Sequence, residues 1–109
     1  MYRVLFAMHR KEGLSGEDFL AHYRDSHIPI TRRFAGLREY AVLPVAGSES
    51  EDAPDAFAVM AFDSEEDFQA VLGSPEFQEA MEDSAKFVAR ASSYVVGHIP
   101  VVTGAEAVR

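Results

Sequence analysis

Residues 2–30 read YRVLFAMHRKEGLSGEDFLAHYRDSHIPI, and the hydrophobic period changes once along them. From Tyr2 to His9 strand formers dominate. Tyr2, Val4, Phe6 and Met8 fall on one face of an extended chain, and Arg3, Leu5, Ala7 and His9 on the other. Both faces are largely apolar, which predicts a central strand covered on both sides. RKEGLSGED then turns into a helix. Ser15 is its N-cap with Asp18 at N3, an acidic near-match to a capping box, and Leu14 and Phe19 take the hydrophobic-staple positions. Glu17 and Asp18 suit the positive end of the helix dipole. The spacing predicts a helix over about Gly16–Ser26. Pro29 lacks an amide donor and disfavours helical geometry at Ile28, so a kink is expected there. A short helical piece, ITRRFA, follows and ends at Gly36.

The same signals organise the rest of the chain. Leu37–Val45 (LREYAVLPV) is a second strand, AGSESEDAPDA a polar acidic connection, and Phe57–Phe62 (FAVMAF) a third strand that is apolar on both faces. Asp63 or Ser64 caps a helix through EEDFQAVL, closed by Gly73. Ser74 caps another, with Pro75 at its first position, where a missing donor does no harm. In that helix Phe77, Met81, Ala85 and Val88 form a stripe expected to face the core; Met8, Met60 and Met81 fit core packing. Ser92–Val102 is a fourth strand. The order is βαββαβ, which gives an α+β, ferredoxin-like domain with a four-stranded antiparallel sheet over residues 1–103 and a flexible tail over 104–109. Helices cover only one face of such a sheet, yet three strands read as apolar on both. A second copy of the chain is the expected cover, making a homodimer.

Composition narrows the partners. The chain has 109 residues, 18 acidic against 10 basic, for a formal net charge of −8. That charge opposes binding to nucleic acid or to an anionic membrane surface and points to a small-molecule or protein partner. With no cysteine, disulfides, thiolate catalysis and cysteine-based metal sites are excluded. No apolar run reaches the roughly 20 residues of a membrane span, and a cytoplasmic location is the default. The start of the chain reads as a strand rather than a signal peptide.

Phe19, Tyr23 and His27 lie at i, i+4 and i+8, nearly one line on the helix that should face the sheet. His27 therefore points inward where the helix ends. It is read either as a core histidine bonded to an orphan carbonyl of the last turn or as a general acid/base. His22 lies five residues earlier, about 140° around an α-helix. It is expected on the surface and poorly placed to share a metal, so no metal site and no cofactor are expected. Tyr40 is a sheet tyrosine or a pocket hydrogen-bond donor. Tyr23 is core or pocket lining. His98 lines the pocket or sits at a dimer edge. His9 is a solvated strand end or an anion contact. Arg32 and Arg33 follow the kink, where they are solvated, ion-paired or set to grip a substrate carboxylate.

These motifs together resemble the EthD family of dimeric α+β barrel proteins. The resemblance rests on the glycine-containing turn, Phe19 within the helix, His27 followed by Pro29, Gly36-Leu37 with Tyr40, and FDSEEDFQAVLGSPEF, and spans about Tyr2–Val101. It implies a ferredoxin-like monomer that dimerises through its sheets, with a pocket between sheet and helices. Relatives on this fold include methylmuconolactone isomerases, polyketide cyclases and dehydratases, and cofactor-free monooxygenases. In isomerase-like relatives, a histidine at the His27 position and a tyrosine at the Tyr40 position are implicated in the pocket. The resemblance thus implies His27 and Tyr40 as catalytic residues, with Tyr23, Phe19 and His98 contacting the ligand. Two functions stay open. One is a cofactor-free isomerase, cyclase/dehydratase or monooxygenase acting on a hydrophobic, aromatic or lactone-type metabolite. The other is a non-catalytic accessory or binding protein of a monooxygenase pathway.

Overall fold

The computed structural model describes residues 1–104. The elements run β1 (Tyr2–Arg10), α1 (Gly16–His22), a π-helical segment (Tyr23–His27), α2 (Ile28–Thr31), β2 (Glu39–Pro44), β3 (Ala56–Phe62), α3 (Glu65–Leu72), α4 (Pro75–Phe87) and β4 (Val88–Val96). The strands form one antiparallel sheet in the order β2-β3-β1-β4, with β1 and β3 in the centre. This is the ferredoxin-like α+β fold that the element order predicts.

The caps form where the sequence places them. The amides of Asp18, Asp67 and Phe77 donate to the hydroxyls of Ser15, Ser64 and Ser74 at 3.0, 3.2 and 3.2 Å. Leu14 packs against the cluster that holds Phe19, as a staple should. At Gly36 the backbone turns through φ +76°, a conformation that favours glycine.

Three expectations need correction. The helix does not break at Pro29: His27 and Ile28 keep right-handed helical dihedrals, and the chain stays helical to Thr31. The preceding turn widens instead, and the Ile28 amide reaches back five residues to the Tyr23 carbonyl. An α-turn would press the Pro29 ring against the Asp25 carbonyl, and the wider turn relieves that clash. The second correction concerns the buried face of α4. It consists of Ala80, Asp83 and Phe87, whereas Met81 is 54% exposed and Ala85 is exposed. The apolar letters misled because a carboxylate occupies the inward position. Third, β4 spans Val88–Val96 rather than Ser92–Val102, since the chain passes from α4 into extended geometry at Val88 with no turn residue between. Its length is set by pairing with β1, from Arg3 opposite Val96 to Arg10 opposite Val88. The tail expected over 104–109 lies, from residue 105 onward, outside the described residues.

The helices cover one face of the sheet, where Val4, Met8, Ala58, Met60 and Phe62 are buried. On the other face Leu5, Ala41, Val59 and Tyr94 stand in register, beside Ala7, Phe57 and Leu43. At one end of that face Arg3 grips the Glu39 carboxylate at 2.7 and 2.9 Å. Ala61 lies in register between the two and is fully buried.

Candidate functional site

The π segment decides which side chains meet. Its i to i+5 bonding brings residues five apart toward the same side, so His22 and His27 face one partner, Asp83 of α4. Asp83 Oδ2 lies 3.0 Å from His27 Nδ1. Its Oδ1 lies 3.0 Å from His22 Nε2 and accepts the Ser26 hydroxyl at 2.7 Å. Both His27 and Asp83 are buried. Phe87, one turn along α4, stacks near both imidazoles, with ring centroids 4.5 Å from His22 and 5.1 Å from His27.

The electrostatics follow from this packing. Burial pushes Asp83 upward, but the hydrogen bonds from Ser26, His27 and His22 together outweigh it and hold the carboxyl below its ordinary range. Burial lowers His27 below the usual imidazole value, despite the opposing pull of Asp83, and His22 lowers it further. A neutral His27 beside a carboxylate carries its proton on Nδ1, where the carboxylate accepts it. Nε2 is then a free base. It has no protein partner among the described residues, where no fully buried side-chain nitrogen or oxygen lacks one, so Nε2 keeps contact with open space.

That space is a cavity of about 460 Å³ between the helices and the sheet. Phe6, Met8, Phe34, Ala58, Met60 and Phe77 give it apolar walls, and Met81, Ala85, Ala89 and Ala91 an exposed rim. His27, Tyr23, Thr31 and Tyr40 supply polar groups from the helices and β2, and Ser84, Arg90, Ser92 and Ser93 supply others from α4 and β4. The Thr31 hydroxyl sits 2.8 Å from the Tyr40 hydroxyl and 3.1 Å from the His27 carbonyl oxygen. Tyr23 donates to Met8 Sδ at 3.4 Å. Burial raises both tyrosines, and Tyr40 raises Tyr23 further, so both remain protonated phenols.

The structure thus brings His27, Tyr23 and Tyr40 to one cavity. Phe19 does not reach the cavity wall: it is fully buried behind Tyr23 and Phe87, in T-shaped and tilted contact with them. His98 is exposed, past the end of β4, and is not part of the wall in the single chain. Arg33 pairs with Glu79 at 2.7 Å on the surface, and Arg32 lines a separate shallow hollow beside Arg38 and Tyr40. His22, expected on the surface, is half-buried: its side chain is 28% exposed and bonded to Asp83. Asp83, Ser26 and Thr31 are the residues that sequence reasoning missed. The available signal was the spacing of Ala80, Asp83 and Phe87, which puts a carboxylate on a buried helical stripe. Among the described residues, no group of three or more His, Asp or Glu is arranged to hold a metal ion. Each histidine nitrogen facing Asp83 is taken up by a different carboxylate oxygen.

The family model for the EthD domain matches residues 11–91, well over half of the chain. The chain belongs to the EthD family. His27, Pro29, Gly36, Leu37, Tyr40 and the missed Asp83 all lie within the matched residues. Among solved structures, an EthD family protein from Bacillus halodurans C-125 is similar at 25% identity and TM-score 0.76, covering 91% of this chain and 100% of that one. A dimeric ferredoxin-like protein of unknown function from Thermobifida fusca shares the fold at 16% identity and TM-score 0.73, over 89% of this chain and 90% of that one. So does a Nitrosomonas europaea protein with the provisional description antibiotic biosynthesis monooxygenase, at 20% identity and TM-score 0.62, over 91% and 99% of the two chains. Among curated proteins no match is found. No helix among the described residues of this EthD chain is long and apolar enough to cross a membrane.

Proposed function

We propose that this EthD-family protein binds a small, largely apolar molecule bearing a carbonyl, lactone or phenolic oxygen, and that His27 moves a proton on it without a cofactor. The observation that carries this reading is an imidazole with Nδ1 3.0 Å from a buried carboxylate and Nε2 without a protein partner among the described residues, beside a largely apolar cavity. A base in that state can take a proton from a bound carbon acid or hydroxyl. The resulting imidazolium is stabilised by Asp83. Tyr40 donates a hydrogen bond toward the oxygen on which negative charge grows. The cavity volume falls within the roughly 300–1,000 Å³ of small-molecule sites.

Proton exchange provides the test. Wild-type protein in D₂O is incubated with a panel of 1,3-diketones and unsaturated lactones, and deuterium uptake is followed by NMR. Uptake is expected to fall at least about 100-fold in His27→Ala, with cooperative unfolding retained. Catalysed uptake that survives the substitution sinks the proposal. The same apolar walls also suit a binding or accessory role in a monooxygenase pathway. In that case compounds of the panel bind, the wild type exchanges nothing, and His27→Ala leaves binding unchanged.

We also infer a homodimer through the open sheet face. Leu5, Ala7, Phe57, Val59, Leu43 and Tyr94 form an apolar surface there, and the T. fusca relative is described as dimeric. Sedimentation at micromolar concentration is expected to report two chains; a monomer at that concentration refutes it.

A further inference from the structure

His27 has a natural place in the reading above, but His22 does not, although both spend a ring nitrogen on the same carboxylate. Asp83 accepts three hydrogen bonds: from Ser26 and His22 on Oδ1, and from His27 on Oδ2. The carboxylate is nearly inaccessible, and the two imidazoles differ: His27 is 8% exposed and His22 28%. One histidine faces the cavity and the other reaches solvent. Among the described residues, the charged groups that shift His27 are Asp83 and His22, and Asp83 is in turn set by its burial and by Ser26, His27 and His22. The other titratable groups lining the cavity are the phenols of Tyr23 and Tyr40, both neutral, and the guanidinium of Arg90 on β4.

Resting on the catalytic reading of His27, we propose that His22 is its positioning and tuning residue, acting through Asp83. By donating Nε2–H to Oδ1, His22 joins Ser26 in holding the carboxylate plane so that Oδ2 meets His27 Nδ1. This fixes the tautomer that leaves Nε2 bare on the cavity side. By taking up a proton on its solvent-side nitrogen, His22 also offsets the carboxylate's charge and makes His27 a weaker base. A positive charge on His22 therefore opposes one on His27 across the shared carboxylate. A proton relay through Asp83 is not the mechanism. His22 Nε2 already carries the hydrogen it donates, so it has no lone pair to receive another. The coupling is electrostatic, and no proton crosses the carboxylate.

The test reads the imidazole nitrogens directly and needs no substrate. Two-dimensional ¹H–¹⁵N spectra of the wild type are expected to show His27 with Nδ1 protonated and Nε2 bare. The His27 titration curve is expected to depart from a single-site shape because of the neighbouring His22 charge. In His22→Gln, whose amide can still donate to Asp83, the His27 tautomer is expected to stay and its midpoint to rise by about half a pH unit or more, because the opposing charge is gone. In His22→Phe the midpoint is expected to rise as well, with a mixed tautomer population. A purely structural His22 would change thermal stability and leave the His27 midpoint and tautomer where they were in both variants, and that result overturns the proposal. Should His22→Phe fail to fold, His22→Gln and the shape of the wild-type His27 curve decide. Such a curve in a protein that exchanges no proton in D₂O would refute catalysis by His27 while leaving the role of His22 intact.

Discussion

At the end of the interior nearest α1, Phe19, Tyr23 and Phe87 pack with Met8 and the two small residues Ala56 and Ala58. His22, His27 and Asp83 stand directly against their rings. At the other end, Ile30, Phe34, Met60, Phe62, Val71 and Ala80 form a second cluster, with Phe6, Leu37, Tyr40, Phe68 and Phe77 packed against it. The cavity opens between the two, with walls from both. The apolar half stabilises the domain by burial alone, while the aromatic half spends part of its volume on a carboxylate and two imidazoles. In a domain of this size that arrangement is tolerable because every buried polar atom among the described residues finds a partner or keeps contact with water.

The sharpest way to break this comparison is to damage each half and compare the losses. Phe62 is completely buried in the apolar cluster. Phe62→Ala is expected to cost about 3–5 kcal/mol in denaturant unfolding, through lost transfer energy and the cavity left behind. The ¹⁵N signals of His22 and His27 should not move. Asp83→Ala is expected to cost less, about 2–3 kcal/mol, because Ser26 and His22 are partly exposed and turn to water while only His27 loses a buried acceptor. It should also release the His27 tautomer. A loss larger than that of Phe62→Ala, or a gain in stability, would mean that the two halves do not divide the work in this way.

The smallest expected effect lies in the pH dependence. His27 is lowered from its ordinary 6.5 and Asp83 from its ordinary 3.8. For each, the unfolded chain binds more protons than the folded one between the two values, so stability is full above the unfolded value and falls as pH drops through the folded one. Acid should therefore weaken the fold in two stages, first below about pH 6.5 through His27 and then below about pH 4 through Asp83. Thermal scans of the wild type against His27→Gln isolate the first stage. The variant is expected to show a flatter slope of Tm between pH 5 and 7. Equal slopes would show that burial does not hold His27 neutral.

The period change after β1, the serine caps, the glycine stops and the alternation within strands were legible in the chain because each is local. A hydroxyl caps an amide three residues on, and a side-chain face repeats every two or every 3.6 residues whatever lies elsewhere. Hence the element order, the ferredoxin-like fold and the inward aim of Tyr23 and His27 could be read before any coordinates. Tyr40 was legible only as one of two alternatives, and the strand it sits on decided between them. Asp83 was not legible as a partner. It is 56 residues from His27, and only the packing of α4 across the π segment brings them together. The placement of His22 was misread for a different reason: α-helical geometry puts it about 140° from His27, and the tertiary structure widened one turn to a π segment, which Pro29 tolerates and which Asp83 rewards with bonds from both histidines. Local chemistry determined the elements and their caps, whereas the pairing that makes a base of His27 depended on long-range packing, because a buried carboxylate gains its donors only when separate helices meet.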